Sequence, residues 1–280
     1  MITQEKELRG LLTAWEESLG FSDDQDLPLL FFLHGFPACP QSYLEQWKFF
    51  KDYPIVSPWN RGVGKSISPR NPKRYGLHGH LLDHLQILDE IDKRKKRKVI
   101  VIGHDIGSLY SWNLAVHLKD RLQGLVLING VSPSQMIRRV FNPKQVAKSW
   151  YIALFQIPLL AEKFWNRYEK QITSRVFAKG GKPRGLESRE AIKMGKAINQ
   201  YQQAFYECPE HYTSTAVEFP LLSICGKDDP FLEPADETEL KKIATNFELE
   251  VIEGGHWVHQ QNHQLVNQKI LEFIQQTSES

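Results

Sequence analysis

Four short apolar runs, each bounded by turn residues and interleaved with helical stretches, constrain this chain more than any other feature. They occupy residues 27–34 (Leu-Pro-Leu-Leu-Phe-Phe-Leu-His), 99–102, 125–128 and 220–225. Their apolar residues are consecutive rather than alternating, which is what a strand buried on both faces requires, and such strands belong to parallel sheets. Residues 53–58 read as a weaker strand, and 248–252 as a final one. Leu77, Leu81, Leu85, Leu88 and Ile91 fall at spacings of four and three, on one face of an amphipathic helix that should cover the sheet. A helical stretch is expected from Ser108 to about Leu118, another over 237–243, and a last one carrying Val266, Ile270 and Phe273. The alternation predicts an α/β class protein with a mostly parallel, doubly wound sheet.

Between 131 and 219 the pattern changes to aromatic-rich helical segments without a convincing buried strand. The expected organisation is a core formed by 1–130 and 220–280, with 131–219 inserted as a helical lid that Gly180, Gly181 and Pro183 divide within 179–184. Residues 11–18 fit either an early strand or a short helix.

Composition narrows the partners. With 280 residues and 41% hydrophobic content the chain can bury a large core, and Lys+Arg 35 against Asp+Glu 33 leave a formal charge of +2. No global field points to nucleic acid or an anionic membrane, so the expected ligand is small and not highly charged. The basic run at 93–98 falls between a helix and a strand and reads as a solvated loop that compensates a helix dipole. No leader-like or bilayer-spanning apolar run is present, so the expectation is a cytoplasmic protein without membrane insertion, as monomer or homodimer. Cys39, Cys208 and Cys225 are far apart, have no C-x-x-C spacing, and read as free thiols, Cys39 as a small buried one. His78, His80 and His84 with Asp83 could suggest a metal, but exposed helical histidines without a ligand set are commoner, and neither metal nor cofactor is expected.

The chemistry concentrates at Gly103-His104-Asp105-Ile106-Gly107, which follows a buried strand and precedes a helix. That is the context of a nucleophile elbow, a tight turn that holds its central residue in a strained conformation and needs small neighbours. Esterases and lipases carry serine at the tip; this chain carries Asp105. A carboxylate can displace a leaving group at saturated carbon and form an alkyl ester, which water must then break with the help of a base and an oxyanion hole. His256, in Glu253-Gly254-Gly255-His256 after the last strand, is the candidate base. Gly226-Lys227-Asp228-Asp229-Pro230, after the preceding strand, offers an acid to orient it. His34-Gly35-Phe36-Pro37 should aim the Phe36 backbone N–H at the site, joined by that of Ile106.

Together His34-Gly35-Phe36-Pro37, the loop Arg61-Gly62-Val63-Gly64-Lys65-Ser66, the Asp105 turn, Asp229 and His256 resemble the α/β-hydrolase-fold epoxide hydrolases over nearly the whole chain. The resemblance implies the α/β-hydrolase fold with a helical cap, and it selects Asp229 over Asp228 as the acid. It also implies two lid tyrosines that polarise the epoxide oxygen: Tyr151, in Trp150-Tyr151-Ile152-Ala153-Leu154-Phe155-Gln156-Ile157-Pro158, and Tyr201, in Ile198-Asn199-Gln200-Tyr201. A small apolar epoxide and water are the implied substrates, with His34, Pro37, Trp59 and Trp150 as residues lining the substrate. Two positions depart from the family: Ile106 stands where an aromatic is usual, and Pro58-Trp59-Asn60 replaces a proline followed by aspartate.

Three other readings compete. Asp105 could be a plain helix N-cap on a glycine-rich turn. A haloalkane or haloacid dehalogenase would share the Asp-His-Asp set, but Ile106 and Phe36 supply no halide donor and no arginine follows Asp105 to grip a haloacid. A non-catalytic binding or sensor protein of the same fold would not need a base opposite a nucleophile.

Overall fold

In a computed structural model, the protein is described over residues 1–18, 27–93, 97–157, 163–164, 167–168, 171, 198–208 and 216–278. Strands β1 (Ile2–Leu8), β2 (Leu11–Glu17), β3 (Leu29–Leu33), β4 (Ile55–Pro58), β5 (Val99–His104), β6 (Leu122–Ile128), β7 (Leu221–Gly226) and β8 (Phe247–Ile252) form one 8-stranded sheet in the order β1-β2-β4-β3-β5-β6-β7-β8. From β4 to β8 all neighbours are parallel, whereas β1 with β2 and β2 with β4 are antiparallel.

Residue alternation along the central strands builds two cores. Phe31, Leu33, Val99, Val101, Leu125 and Leu127 face helices α2 (Leu77–Ile91) and α3 (Ile106–Leu118), where Leu81, Leu88, Leu109 and Trp112 meet them. Leu30, Phe32, Ile100, Ile102, Val126 and Ile128 face the opposite way, onto Trp47 of α1 (Leu44–Phe49) and onto Val266, Ile270 and Phe273 of a C-terminal helix at His263–Ser278. Both faces of β5 are therefore covered, which is why its sequence is apolar at consecutive positions.

The ambiguous segment at 11–18 is a strand. Arg9 and Gly10, with φ of 53° and 72°, close a two-residue hairpin that pairs Leu8 with Leu11, and Ala14 and Trp15 of β2 are buried. The N-terminal strand β1 was not anticipated, because ITQEKEL is polar and lies at the sheet edge.

Between β6 and β7 the described residues contain helices α4 (Pro133–Arg139), α5 (Pro143–Lys148), α6 (Trp150–Phe155) and α7 (Asn199–Glu207). Capping explains the first two: Ser132 and Gln135 form a reciprocal capping box before α4, and the Asn142 side chain accepts from Lys144 and Gln145 at the start of α5. After β7 come α8 (Glu237–Leu240), shorter than its expected span, then α9 (Val258–Gln261) and α10, the helix at His263–Ser278. The break expected at 179–184, residues 94–96 of the basic run and Pro158 lie outside the described residues. Arg97 is buried, with its guanidinium donating to the Leu27 carbonyl at 3.2 Å, so this residue of the basic run is structural, whereas Lys98 is exposed. Among the described residues no helix is long and apolar enough to cross a membrane.

Candidate active site

The site lies where the parallel strands end. Asp105 sits between β5 and α3 at φ 53° and ψ −127°, a backbone region costly for a residue with a side chain, on the order of 1–3 kcal/mol. The glycines on either side make the bend possible. A Cβ on Gly107 would strike the carbonyls of Leu33 and His34, and one on Gly103 would strike Ser111 and the Gly107 backbone. Although Asp105 holds the N-cap position of α3, its side chain makes no capping bond, so the simple capping reading does not describe it.

Its carboxylate is engaged elsewhere and remains 13% exposed. The Phe36 N–H donates to Asp105 Oδ1 at 3.0 Å and the Tyr201 hydroxyl to the same oxygen at 2.9 Å. The Ile106 N–H also favours the anion. Asp105 Oδ2 lies 3.4 Å from His256 Nε2, and His256 Nδ1 lies 2.8 Å from Asp229 Oδ2. Asp229 is fixed in turn, since its Oδ1 accepts from the backbone N–H of Phe231 at 2.8 Å and of Leu232 at 3.1 Å. Neighbouring Asp228 is exposed.

Electrostatics couple these groups. Burial opposes charge on His256, but the Asp229 carboxylate, the hydrogen bonds to Asp105 and Asp229 and the Asp105 charge outweigh it, and the imidazole pKa is raised. Burial likewise opposes the Asp105 anion, and the hydrogen bond and charge of His256 overcome it, leaving the carboxyl below its usual range. The His256 ring thus lies between the side chains of Asp105 and Asp229, an arrangement that favours its charged form.

Asp105, Ile106, Tyr151, Tyr201, Phe231 and His256 line a cavity of about 400 Å³. Burial, then the nearby Asp105 charge, raises the pKa of both Tyr151 and Tyr201, so both remain neutral phenols able to donate a proton. The Tyr151 ring meets Phe155 and Phe231 edge-on, at 5.5 Å and 5.9 Å between centroids. Trp150 also lines the cavity and is 67% exposed.

Three residues expected to line the substrate do not line this cavity. His34 is wholly buried, its Nε2 accepting from the Asn60 N–H at 3.1 Å, and burial lowers its pKa to about 4. Trp59 is packed under Gly64 with its indole N–H donating to Glu16 at 3.0 Å. Pro37 is buried outside the cavity wall. The resemblance had implied them, but His34 and Trp59 are buried in the core with their ring nitrogens engaged there. A second correction concerns the histidines of α2. His80 and His84 are buried rather than exposed; His80 stacks on Tyr110 at 4.2 Å, and Asp83 pairs with Arg61 at 2.6 Å. Among the described residues no His, Cys, Asp or Glu cluster could hold a metal. The three cysteines are free and buried.

Among the cavity residues that escaped sequence reasoning are Phe231 and Asn129. Asn129, at the end of β6 with φ 41°, lines the cavity and joins both loops behind it. Its Nδ2 donates to the carbonyls of Gly255 at 2.8 Å and His256 at 2.7 Å, while its Oδ1 accepts from the Gly226 N–H at 2.5 Å. His104 adds a contact between its Nε2 and the His256 carbonyl at 2.8 Å. The available signal was position: a polar residue at the carboxyl end of a central strand lies where α/β proteins place their sites.

A family model described as the alpha/beta hydrolase fold matches residues 28–262. The mouse (Mus musculus) protein Epoxide hydrolase 4 is 30% identical over 270 residues, which cover 89% of this chain and 73% of that protein. The crystal structure of Epoxide Hydrolase A from Mycobacterium thermoresistibile matches with a TM-score of 0.76 at 22% identity, covering 98% of both chains. A putative acyltransferase from Salmonella enterica gives a TM-score of 0.80 at 19% identity, covering 98% of this chain and 95% of that one. These likenesses to solved structures establish the fold, and the reaction has to be argued from the residues at the elbow.

Proposed function

Because the chain belongs to the α/β-hydrolase fold family, we propose that it is an epoxide hydrolase, converting a small apolar epoxide and water to a vicinal diol through an ester on Asp105. The observation that carries the reading is the Asp105 carboxylate on a strained elbow, bonded by the Tyr201 hydroxyl at 2.9 Å and faced by His256 at 3.4 Å. In this reading residues 131–219 act as the cap that brings the two phenols over the core formed by 1–130 and 220–280.

In the first step Asp105 Oδ2 attacks a ring carbon, forming a C–O bond as the epoxide C–O bond breaks. The alkoxide takes a proton from Tyr201 or Tyr151, which remain neutral donors at pH 7 because burial raises both pKa values. Asp105 Oδ1, held by the Phe36 N–H, becomes the ester carbonyl oxygen.

Ester formation removes the Asp105 charge, and with it two of the influences that raise the His256 pKa. The imidazolium can then pass its proton to the tyrosinate left by ring opening, which restores the neutral phenol and frees the imidazole to serve as base. It takes a proton from water, and the resulting hydroxide adds to the Asp105 carbonyl carbon. The oxyanion forms on Oδ1 against the Phe36 and Ile106 amides. Collapse breaks the bond from Cγ to Oδ2, His256 gives its proton to the departing diol, and the new Asp105 carboxylic acid passes its proton to the imidazole, which restores the starting ion pair. Asp229 keeps the imidazole oriented and balances its positive charge.

Dehalogenation would use the same carboxylate and histidine, but the groups aimed into this cavity are phenols suited to an oxygen leaving group. Incubation with styrene oxide and, separately, with 1-chlorobutane separates the readings. Diol without chloride is expected; chloride release without diol would replace the reading with dehalogenation, and neither product would reject both.

A further inference from the structure

The loop carrying Arg61-Gly62-Val63-Gly64-Lys65-Ser66 makes no contact with the cavity. Arg61 nevertheless lies at the centre of a buried network. Its guanidinium donates to both oxygens of Asp83, at 2.6 Å and 2.7 Å, and to the carbonyls of Gly79 and Arg74. Its backbone N–H donates to His80 Nε2 at 3.3 Å, and His80 in turn contacts the Gly76 carbonyl through Nδ1 at 3.0 Å. The remaining backbone group, the Arg61 carbonyl, accepts from the side-chain amide of Gln200 at 3.2 Å.

Gln200 is fully buried in the first turn of α7. Its other end is also used, because Oε1 accepts from the Tyr110 hydroxyl at 2.9 Å. Tyr110 belongs to α3, the helix that starts next to Asp105. The amide therefore joins α7 to the Arg61 loop and to the nucleophile's helix with both its polar ends. The far end of α7 is tied as well, with Glu207 accepting from the His78 N–H at 2.9 Å where α2 begins. Tyr201 follows Gln200 directly and donates to Asp105 at 2.9 Å.

We propose that Gln200 is a positioning residue for ring opening: by bonding the Arg61 carbonyl and the Tyr110 hydroxyl it sets the height of α7 over the core and so holds the Tyr201 hydroxyl on the Asp105 side of the cavity. The inference rests on the reading of Tyr201 as a proton donor to the epoxide. It assigns the Arg61 loop the role of a fixed anchor, and it gives an otherwise surplus buried amide a specific task. No hydrocarbon can replace that amide without leaving a buried carbonyl and a buried hydroxyl unsatisfied.

The test is a Gln200→Met variant, close in size and favourable in a helix, with Tyr110→Phe as a milder change that removes one of the two bonds. Single-turnover kinetics with styrene oxide separate alkylation of Asp105 from hydrolysis of the ester. Gln200→Met should slow alkylation at least tenfold and leave ester hydrolysis within about twofold, and Tyr110→Phe should do the same to a smaller degree. Adding Gln200→Met to Tyr201→Phe should slow alkylation no further than Tyr201→Phe alone, because coupled residues are not additive. Equal slowing of both steps, or full additivity with Tyr201→Phe, would overturn the proposal and leave Gln200 as a packing residue. A crystal structure of Gln200→Met decides the question without turnover: Tyr201 Oη should leave hydrogen-bond reach of Asp105, and an unchanged contact refutes the positioning role. Absence of diol from the parent protein would instead count against the epoxide hydrolase reading.

Discussion

The Tyr201 hydroxyl and Asp105 Oδ1 share a 2.9 Å hydrogen bond, joining a helix from the segment between β6 and β7 to the turn after β5. The same oxygen accepts the Phe36 N–H, so Oδ1 is held on two sides while Oδ2 faces His256. In the proposed mechanism, a carboxylate fixed in this way presents one oxygen for attack and keeps the other for the carbonyl of an ester.

Under the proposed mechanism, replacing Tyr201 by Phe, or Tyr151 by Phe, removes a proton donor from the leaving oxygen. Each change should slow Asp105 alkylation by roughly 10²-fold, the lower range for a lost general acid, and the double change should slow it further. Rapid-quench measurement of the ester against diol release checks this. Unaltered alkylation in the double variant would remove the tyrosines from the mechanism.

Asn129 holds the backbone of both Gly226 and His256. Its replacement by Ala removes the bonds to the Gly226 N–H and the Gly255 carbonyl, at a cost of about 1–3 kcal/mol in stability for each group that stays unsatisfied, while the His256 carbonyl keeps its contact with His104. The expected signature is a lower melting temperature together with slower ester hydrolysis, because the base and its acid lose their common support. Alkylation should change less, since Asp105 and Tyr201 do not bond to Asn129. A variant with native stability and native hydrolysis would show that the clasp is dispensable.

Stability should fall early on the acid side. Burial is the leading cause that lowers the pKa of His34 and His104 to about 4 and of His84 to about 3, and it drives His80 and His259 down as well. Unfolded histidine titrates near 6.5, so below that pH the unfolded chain binds more protons than the folded one, and the stability present above 6.5 is lost progressively as pH falls toward 3. His256 acts oppositely: its raised pKa contributes stability that is complete below 6.5 and declines as pH rises toward its folded value. Calorimetric melting temperatures should therefore drop between about pH 6.5 and 5, before ordinary carboxylates titrate. A constant melting temperature across that interval would contradict the assignment of neutral buried histidines.

Much of this architecture is legible in the amino-acid sequence. Strands β3, β5, β6 and β7 were readable because burial on both faces writes itself as consecutive apolar residues. Strand β1 was not, since a polar edge strand lacks such a signature and its Arg9-Gly10 turn lacks the Asn-Gly or Asp-Gly that marks a hairpin. At the site, Asp105 and His256 could be found from local turns and chain order, whereas choosing Asp229 over Asp228 required resemblance to a family. Residue-level roles such as those of Asn129 and Gln200 depend on contacts spanning 127 and 139 positions, which leave no local pattern. The opposite error arose at His34 and Trp59, where resemblance to a family said nothing about which way a side chain turns in this chain.

The covalent step is tested most directly by a His256→Gln variant soaked in styrene oxide and analysed by intact and peptide mass spectrometry. Loss of the base should stall hydrolysis while attack proceeds, so the protein gains the mass of one epoxide and the added mass maps to Asp105. Unmodified protein, or an adduct on another residue, beside a parent enzyme that forms diol would contradict the account.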